Sequence, residues 1–171
     1  MSRDRDPLGR PRNARPRDAL GRPLSRAAPP DAGQPLIPDD ALTGRDAARL
    51  ADQLLRAGRP FHAHEVLEAS WKSGPPRERD LWQGLAQVAV GLTHAHRGNA
   101  RGAVALLSRG AQRVRAYQAH AASPADRDLP YGIDLGAFLA ASDDLVARIE
   151  RDGLAGIPAA DLRPGLTTAA S

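Results

Sequence analysis

The chain contains no cysteine. This absence excludes disulfide bonds, thiolate metal sites and cysteine nucleophiles from the fold and from any chemistry. A cysteine-free composition fits a reducing compartment, in which disulfides are rare. We therefore expect a cytoplasmic protein.

Aromatic residues and methionine are scarce, with two Trp, two Tyr, two Phe and one Met among 171 residues. Apolar residues still make up 42% of the chain, so a core must consist mainly of Leu, Val and Ala. Such a core favours closely packed helices over a β-sandwich, which is typically richer in β-branched and aromatic side chains.

Long apolar runs are missing as well. No run reaches the ~20 residues that a membrane-spanning helix needs. Residues 1–17 also lack the apolar stretch of a secretory signal. We expect no association with a membrane.

The first 38 residues are rich in Arg, Pro and Gly and show no hydrophobic period. Such a segment cannot bury enough apolar surface to offset the entropy lost on ordering, so we predict a disordered arm over residues 1–38. Its many Arg side chains would suit a nucleic-acid partner. However, Asp4, Asp6 and Asp18 are interspersed among them, which weakens that interpretation.

Segments with a helical hydrophobic period follow the arm, each bounded by cap or stop residues. Thr43 and Asn99 stand at N-cap positions, and Gly153 stands where a helix ends. The pattern predicts an all-α fold, a compact antiparallel bundle of about five helices over residues 41–153, with a C-terminal tail over residues 154–171. The predicted helices span residues 45–57, 60–72, 78–97, 100–120 and 134–151.

Several motifs occur in order along the second, third and fourth predicted helices. They read FHAHEVLEASW at residues 61–71, LWQGLAQ at 81–87, HAHRGN at 94–99 and GAVALL at 102–107. In this order the chain resembles the DUF309 family, a domain of unknown function, over about residues 42–120. The resemblance implies a compact all-α fold and carries no established activity with it.

Polar side chains share one face of the second predicted helix with Leu67 and Trp71. At about 100° per residue, His64, Glu65 and Glu68 fall on that same half of the helix. Because this is the face that we expect to be buried, the two carboxylates there need partners.

A second polar stripe runs along the third predicted helix, on which Gln83, Gln87 and His94 lie within about 40° of one another. Short turns between neighbouring helices would bring the two stripes together. The candidate polar cluster therefore consists of His64, Glu65, Glu68, Gln83, Gln87 and His94.

Three interpretations of the cluster stay open. In the first, the side chains hydrogen-bond to one another and fix the register of the helices. In the second, His64, Glu65 and Glu68 bind a divalent metal, although their spacing matches neither the zincin motif nor the Glu-x-x-His pair of di-iron bundles. In the third, a glutamate with a raised pKa acts as acid or base beside His64. Because no nucleophile or nucleotide fingerprint accompanies the cluster, the catalytic residues are unknown.

The larger aromatic side chains near the cluster are Phe61, Trp71 and Trp82, which we expect to pack in the core rather than stack on a ligand. The function that this sequence favours is a structural, protein-binding or small-ligand-binding module. The alternatives are a metal-dependent, hydrolase-like enzyme and a nucleic-acid-associated protein. The last would use the arm and the basic face of the fourth helix, which carries Arg101, Arg109, Arg113 and Arg115.

Overall fold

A computed structural model describes residues 17–25, 27 and 42–166 of the chain. Within these ranges the chain forms six α-helices and no β-strand, which confirms the all-α prediction. In order they are α1 (Gly44–Arg56), α2 (Pro60–Ser73), α3 (Arg79–His96), α4 (Ala100–His120), α5 (Pro124–Asp128) and α6 (Leu135–Asp152). Short 3₁₀ turns lie at Pro76–Glu78, Pro130–Gly132, Leu154–Gly156 and Ala159–Leu162.

Side-chain caps set the beginnings of three long helices. Thr43, Asn99 and Asp134 each accept a hydrogen bond from the backbone N–H three residues further on, which satisfies a donor that has no partner inside the helix. At the end of α6, Gly153 has a φ of 70°, a left-handed conformation that costs glycine little. The five predicted helices therefore agree with α1, α2, α3, α4 and α6 to within one residue at each end.

The short helix α5 lies in a segment that the sequence predicts to be a loop. Ser123 caps it by accepting a hydrogen bond from the Asp126 backbone N–H at 3.1 Å, and Pro124 occupies its first turn. None of its residues is buried. A single solvated turn has no apolar period, which is why the sequence pattern does not reveal it.

Helix α3 is the centre of the bundle, with α2 on one side and α4 on the other. Its backbone and that of α4 come into direct contact, because a Cβ on Gly84 would lie 2.8 Å from the Gly110 carbonyl oxygen. Further along, Gly91 lies against Leu107, so the two helices run antiparallel. Although α3 is apolar on most sides, no helix among the described residues is both long and apolar enough to cross a membrane.

The C-terminal tail is folded back onto the bundle as far as the structure describes it. Leu162 and Leu166 are buried. The Leu166 N–H donates to the Asp52 carboxylate of α1 at 2.6 Å, and the Leu166 carbonyl accepts from the Asp134 N–H at 3.1 Å. These bonds tie the first and last helices together through the tail.

Part of the predicted N-terminal arm also contacts the bundle. Gly21 is buried against the ring of Phe61, and the Arg97 guanidinium donates to the Leu20 carbonyl. Most of the arm, residues 1–16, 26 and 28–38, lies outside the described residues. The disordered arm and the proposed domain boundaries therefore stay predictions.

We expect Gly110→Ala to lower the free energy of unfolding by about 1–3 kcal/mol, because the added Cβ would meet backbone atoms of α3. It would lie 2.6 Å from the Gly84 carbonyl oxygen and 2.9 Å from the Val88 nitrogen. This cost exceeds the gain of up to about 1 kcal/mol in helix propensity. Urea unfolding followed by circular dichroism measures the difference.

Gly136→Ala is the matched control, since Gly136 is exposed in α6 and its nearest neighbour to an added Cβ is 3.5 Å away. It should be neutral or stabilising by up to about 1 kcal/mol. Equal stability of the two variants would show that α3 and α4 do not touch at Gly110.

Candidate functional site

A shallow groove of about 180 Å³ lies between α2 and α3. We call it the α2–α3 groove. Its walls are formed by side chains of both helices, and one residue of α4 reaches its edge. The lining residues are His64, Glu68, Trp71, Gln83, Ala86, Gln87, Val90 and Arg113.

Helical spacing explains how these side chains meet. His64 and Glu68 are i, i+4 neighbours on α2, and Gln83 and Gln87 have the same relation on α3. Because α2 and α3 are adjacent and joined by a short connection, the two pairs face one another across the groove. Of the six residues predicted to form the polar cluster, the structure brings these four together.

His64 is held in the wall of the groove with 24% of its side chain exposed. Its Nε2 lies 3.8 Å from the Glu68 carboxylate, and Glu68 itself pairs with Lys72 at 2.8 Å. Burial lowers the pKa of His64, the charge of Glu68 opposes this, and Lys72 lowers it further. His64 is therefore a neutral imidazole at neutral pH.

Two buried acceptor positions in the groove have no hydrogen-bond partner among the described residues. They are Nδ1 of His64 and Oε1 of Gln87. The His64 Nε2 lies 3.8 Å from the Glu68 carboxylate, which is beyond hydrogen-bonding distance, but attraction to this carboxylate favours the tautomer with the proton on Nε2, in which Nδ1 is an acceptor. The described residues of the cluster therefore do not satisfy all of its buried hydrogen-bonding atoms.

Glu65 is half-buried beside the groove and does not line it. Burial raises the pKa of Glu65, the guanidinium of Arg17 counteracts this, and Glu68 raises it further. Glu65 thus lies on the side of α2 that faces residues 17–25, away from Gln83 and Gln87.

His94 does not reach the groove either. It lies two helical turns beyond Gln87, at the end of α3, where its Nδ1 accepts a hydrogen bond from the Asn99 side-chain amide at 2.8 Å. His94 lies on the same side of α3 as Gln83 and Gln87 but not close to them. The helical period gives the direction of a side chain around the helix axis and not its position along that axis.

The three residues considered as metal ligands, His64, Glu65 and Glu68, do not form a metal site. Within residues 17–25, 27 and 42–166, no group of three His, Asp, Glu or Cys side chains is arranged to hold an ion. The His64–Glu68 pair alone offers too few protein ligands for a typical zinc or iron site.

Of the three aromatic side chains that we expect in the core, one lies there and two lie on the surface of α2. Trp82 is 1% exposed and belongs to the core. Trp71 is half-buried in the wall of the groove, with the Lys72 ammonium 5.9 Å from its ring centre. Phe61 packs against the N-terminal segment, with the Arg17 guanidinium 5.6 Å from its ring centre.

Sequence reasoning missed a second polar group, formed by Glu78, Trp82 and Tyr131. Glu78 is buried, its carboxylate accepts a hydrogen bond from the Trp82 indole N–H at 3.1 Å, and the Tyr131 ring lies 5.4 Å from the Trp82 ring. His62 is likewise buried, although the helical period placed it away from the cluster. Glu78 stands at the first position of the third predicted helix, one turn before Trp82, whereas Tyr131 lies in a turn that only the tertiary fold brings to them.

The basic face of α4 is partly neutralised. Arg113 pairs with Asp80 of α3 at 2.9 Å, and Arg115 pairs with Asp143 of α6. These pairs leave fewer positive charges for phosphate groups than the sequence suggests.

Comparison with known proteins supports the family resemblance and adds no activity. The family model "Domain of unknown function (DUF309)" matches residues 49–106, which confirms the family resemblance for that part of the chain. An uncharacterized protein of Bacillus subtilis (strain 168), YpuF, is 36% identical over 91 residues, 53% of this chain and 48% of that protein. The chain thus spans about half the length of this relative. No solved structure matches the chain.

We expect the stability of the protein to fall as the pH is lowered from about 8 to 5, in part because of His64. The pKa of His64 is lowered in the folded state, so below pH 6.5 the unfolded chain binds more protons than the folded one. This contribution is fully present above the unfolded pKa and is lost as the pH falls through the folded pKa. One such group contributes a slope of at most about 1.4 kcal/mol per pH unit.

Comparison of wild type with His64→Gln isolates this contribution, because Glu65, His62 and His96, whose pKa values also shift, are present in both proteins. Urea unfolding at a series of pH values should give a shallower profile for His64→Gln below pH 6.5 and parallel profiles above it. Parallel profiles throughout would mean that His64 is solvated.

Proposed function

We propose that this chain is a small-ligand-binding module and that the α2–α3 groove is its binding site. The observation that carries the proposal is the pair of buried acceptors, His64 Nδ1 and Gln87 Oε1, without partners among the described residues. Both atoms belong to residues that line one groove.

The energetic cost of these atoms favours binding over a purely structural role. A buried acceptor without a partner costs about 1–3 kcal/mol relative to one that is satisfied. A cluster that served only to fix helix register would be expected to satisfy its own members. A ligand that supplies hydrogen-bond donors to both atoms would recover this cost on binding.

The groove also indicates what such a ligand looks like. Neutral His64 and the amide oxygen of Gln87 call for N–H or O–H donors. Trp71 offers part of a flat aromatic surface, and Ala86 and Val90 add apolar contact. We therefore propose a small, flat molecule with at least two donor hydrogens, of a size that a groove of about 180 Å³ accepts.

The alternative functions gain less support. A metal-dependent hydrolase would need a third ligand beside His64 and Glu68, and none of the described residues supplies it. A nucleic-acid partner would compete with the acids that already pair with Arg113 and Arg115. The cytoplasmic location inferred from the lack of cysteine remains part of the proposal, as does a protein partner that would present the donors.

We expect Gln87→Leu to leave the free energy of unfolding unchanged or to raise it by about 1 kcal/mol, because it removes a buried, unsatisfied acceptor. Exposed Gln112 on α4 provides the control Gln112→Leu, which should change the stability by less than about 0.5 kcal/mol. If Gln87→Leu instead lowers the stability by more than about 1 kcal/mol, Gln87 makes structural hydrogen bonds and the proposal loses its main support. Urea unfolding of the two variants and the wild type distinguishes these outcomes.

Ligand-observed NMR with matched small molecules tests binding directly. The probes are flat primary amides such as benzamide, each paired with its N,N-dimethyl analogue, which keeps the ring and the carbonyl but has no N–H. We expect the primary amides to bind wild type and Gln112→Leu, and to bind Gln87→Leu at least about tenfold more weakly. Binding that ignores both N-methylation and Gln87→Leu, or no binding by any amide, would refute a donor-recognising groove.

A further inference from the structure

A second cavity of about 200 Å³ lies at the N-terminal end of α3, between the turn that precedes α3 and the segment between α4 and α6. We call it the Glu78 cavity. It shares no lining residue with the α2–α3 groove. The residues that matter for its chemistry are Glu78, Arg77, Tyr117, Ala122, Asp126 and Tyr131.

The Glu78 carboxylate is the central feature of this cavity. Glu78 is 7% exposed, and its Oε2 accepts the Trp82 indole N–H at 3.1 Å. This carboxylate also helps to raise the pKa of Tyr131, another residue of the cavity wall. The Arg77 guanidinium lies 3.7 Å from Oε1, which is beyond hydrogen-bonding distance, and its side chain is 80% exposed. The counter-charge beside this buried carboxylate is therefore an exposed guanidinium that does not hydrogen-bond to it.

Tyr131 is held in the cavity wall in a strained conformation. Its φ of 58° lies in the left-handed region that side-chain-bearing residues seldom adopt. The ring packs against Trp82, and it occupies the space next to Gly44, where a Cβ would lie 2.5 Å from a ring atom. Two separate parts of the chain, α1 and α3, thus keep Tyr131 in place, and strain maintained in this way often marks a binding site.

The walls of the cavity combine aromatic rings with negative charge. Burial raises the pKa of Tyr131 to about 12, with help from the Glu78 carboxylate, and burial also raises the pKa of Tyr117. Both tyrosines are therefore neutral at physiological pH. Asp126 adds a second carboxylate to the walls, which also include Arg77 and His120.

We infer that the Glu78 cavity binds a small organic cation, a primary ammonium group on a short alkyl chain. Its ammonium would donate to the buried Glu78 carboxylate and lie against the tyrosine rings, which attract cations through their π faces. The alkyl chain would contact the alanine and proline side chains of the walls. This inference is independent of the function proposed for the α2–α3 groove.

The two tryptophans make the test selective, because Trp82 contacts Glu78 and Tyr131 whereas Trp71 lines the other groove. In a Trp71→Phe background, Trp82 is the remaining tryptophan and its fluorescence reports on the Glu78 cavity. The probe is propylammonium chloride, titrated at constant ionic strength against sodium chloride. Propanol and sodium propionate serve as neutral and anionic probes of similar size.

We expect a saturable change in Trp82 fluorescence with propylammonium and none with propanol or propionate. Glu78→Gln should weaken binding at least about tenfold, because the ammonium loses its counter-charge. Glu150→Gln, an exposed acid on α6, is the matched control and should bind as the background does.

If Glu78→Gln fails to fold, the variant Ala122→Phe tests propylammonium binding to the Glu78 cavity instead. Ala122 is exposed and lines the cavity, so a phenyl ring there should block the entrance without touching the Trp82–Glu78 hydrogen bond. Loss of binding in this folded variant supports the inference. An absent or non-saturable response to propylammonium, an equal response to propanol, or unchanged binding in Ala122→Phe would overturn it.

Discussion

The contact between the backbones of α3 and α4 is the constraint from which the rest of the structure follows. Glycine at positions 84 and 110 lets these two long helices approach until main-chain atoms touch, and no side chain fits between them there. With one face of α3 fixed in this way, its remaining faces have set directions. The side chains of Gln83 and Gln87 then line the groove beside α2, whereas the Trp82 ring contacts Tyr131 in the Pro130–Gly132 turn. A single helix therefore orients both of the polar sites on this protein.

The two sites differ in how they treat charge. In the α2–α3 groove, burial keeps His64 neutral and the nearby acid Glu68 is already neutralised by Lys72, so recognition there depends on hydrogen bonds and shape. In the Glu78 cavity a carboxylate is buried, and the exposed Arg77 guanidinium lies 3.7 Å from it without a hydrogen bond. Recognition there therefore depends on electrostatic attraction. A chain with few aromatic residues nevertheless has a tryptophan beside each site.

Regular spacing made much of this structure predictable from sequence, and the exceptions have physical reasons. Cap residues fixed the ends of the long helices, and the 100° period placed His64, Glu68, Gln83 and Gln87 on facing surfaces. The period gives the direction of a side chain around the helix axis but not its position along that axis. His94 was therefore grouped with Gln83 and Gln87, although it contacts Asn99 at the end of α3 instead. Glu78, Tyr117 and Tyr131 come together only through the tertiary fold, and two of them lie in turns. Whether an acceptor is left unsatisfied depends on ångström-scale geometry that no pattern of residues encodes.

The hydrogen bond from Leu166 to Asp52 has a consequence for the order in which the protein is made. The two residues are 114 positions apart, and Asp52 is a carboxylate in the first helix with only 8% of its surface exposed. During translation, α1 emerges from the ribosome long before its partner in the tail has been synthesised. The hydrogen bond that Asp52 accepts from Leu166 can therefore form only after the intervening helices and the tail have left the ribosome.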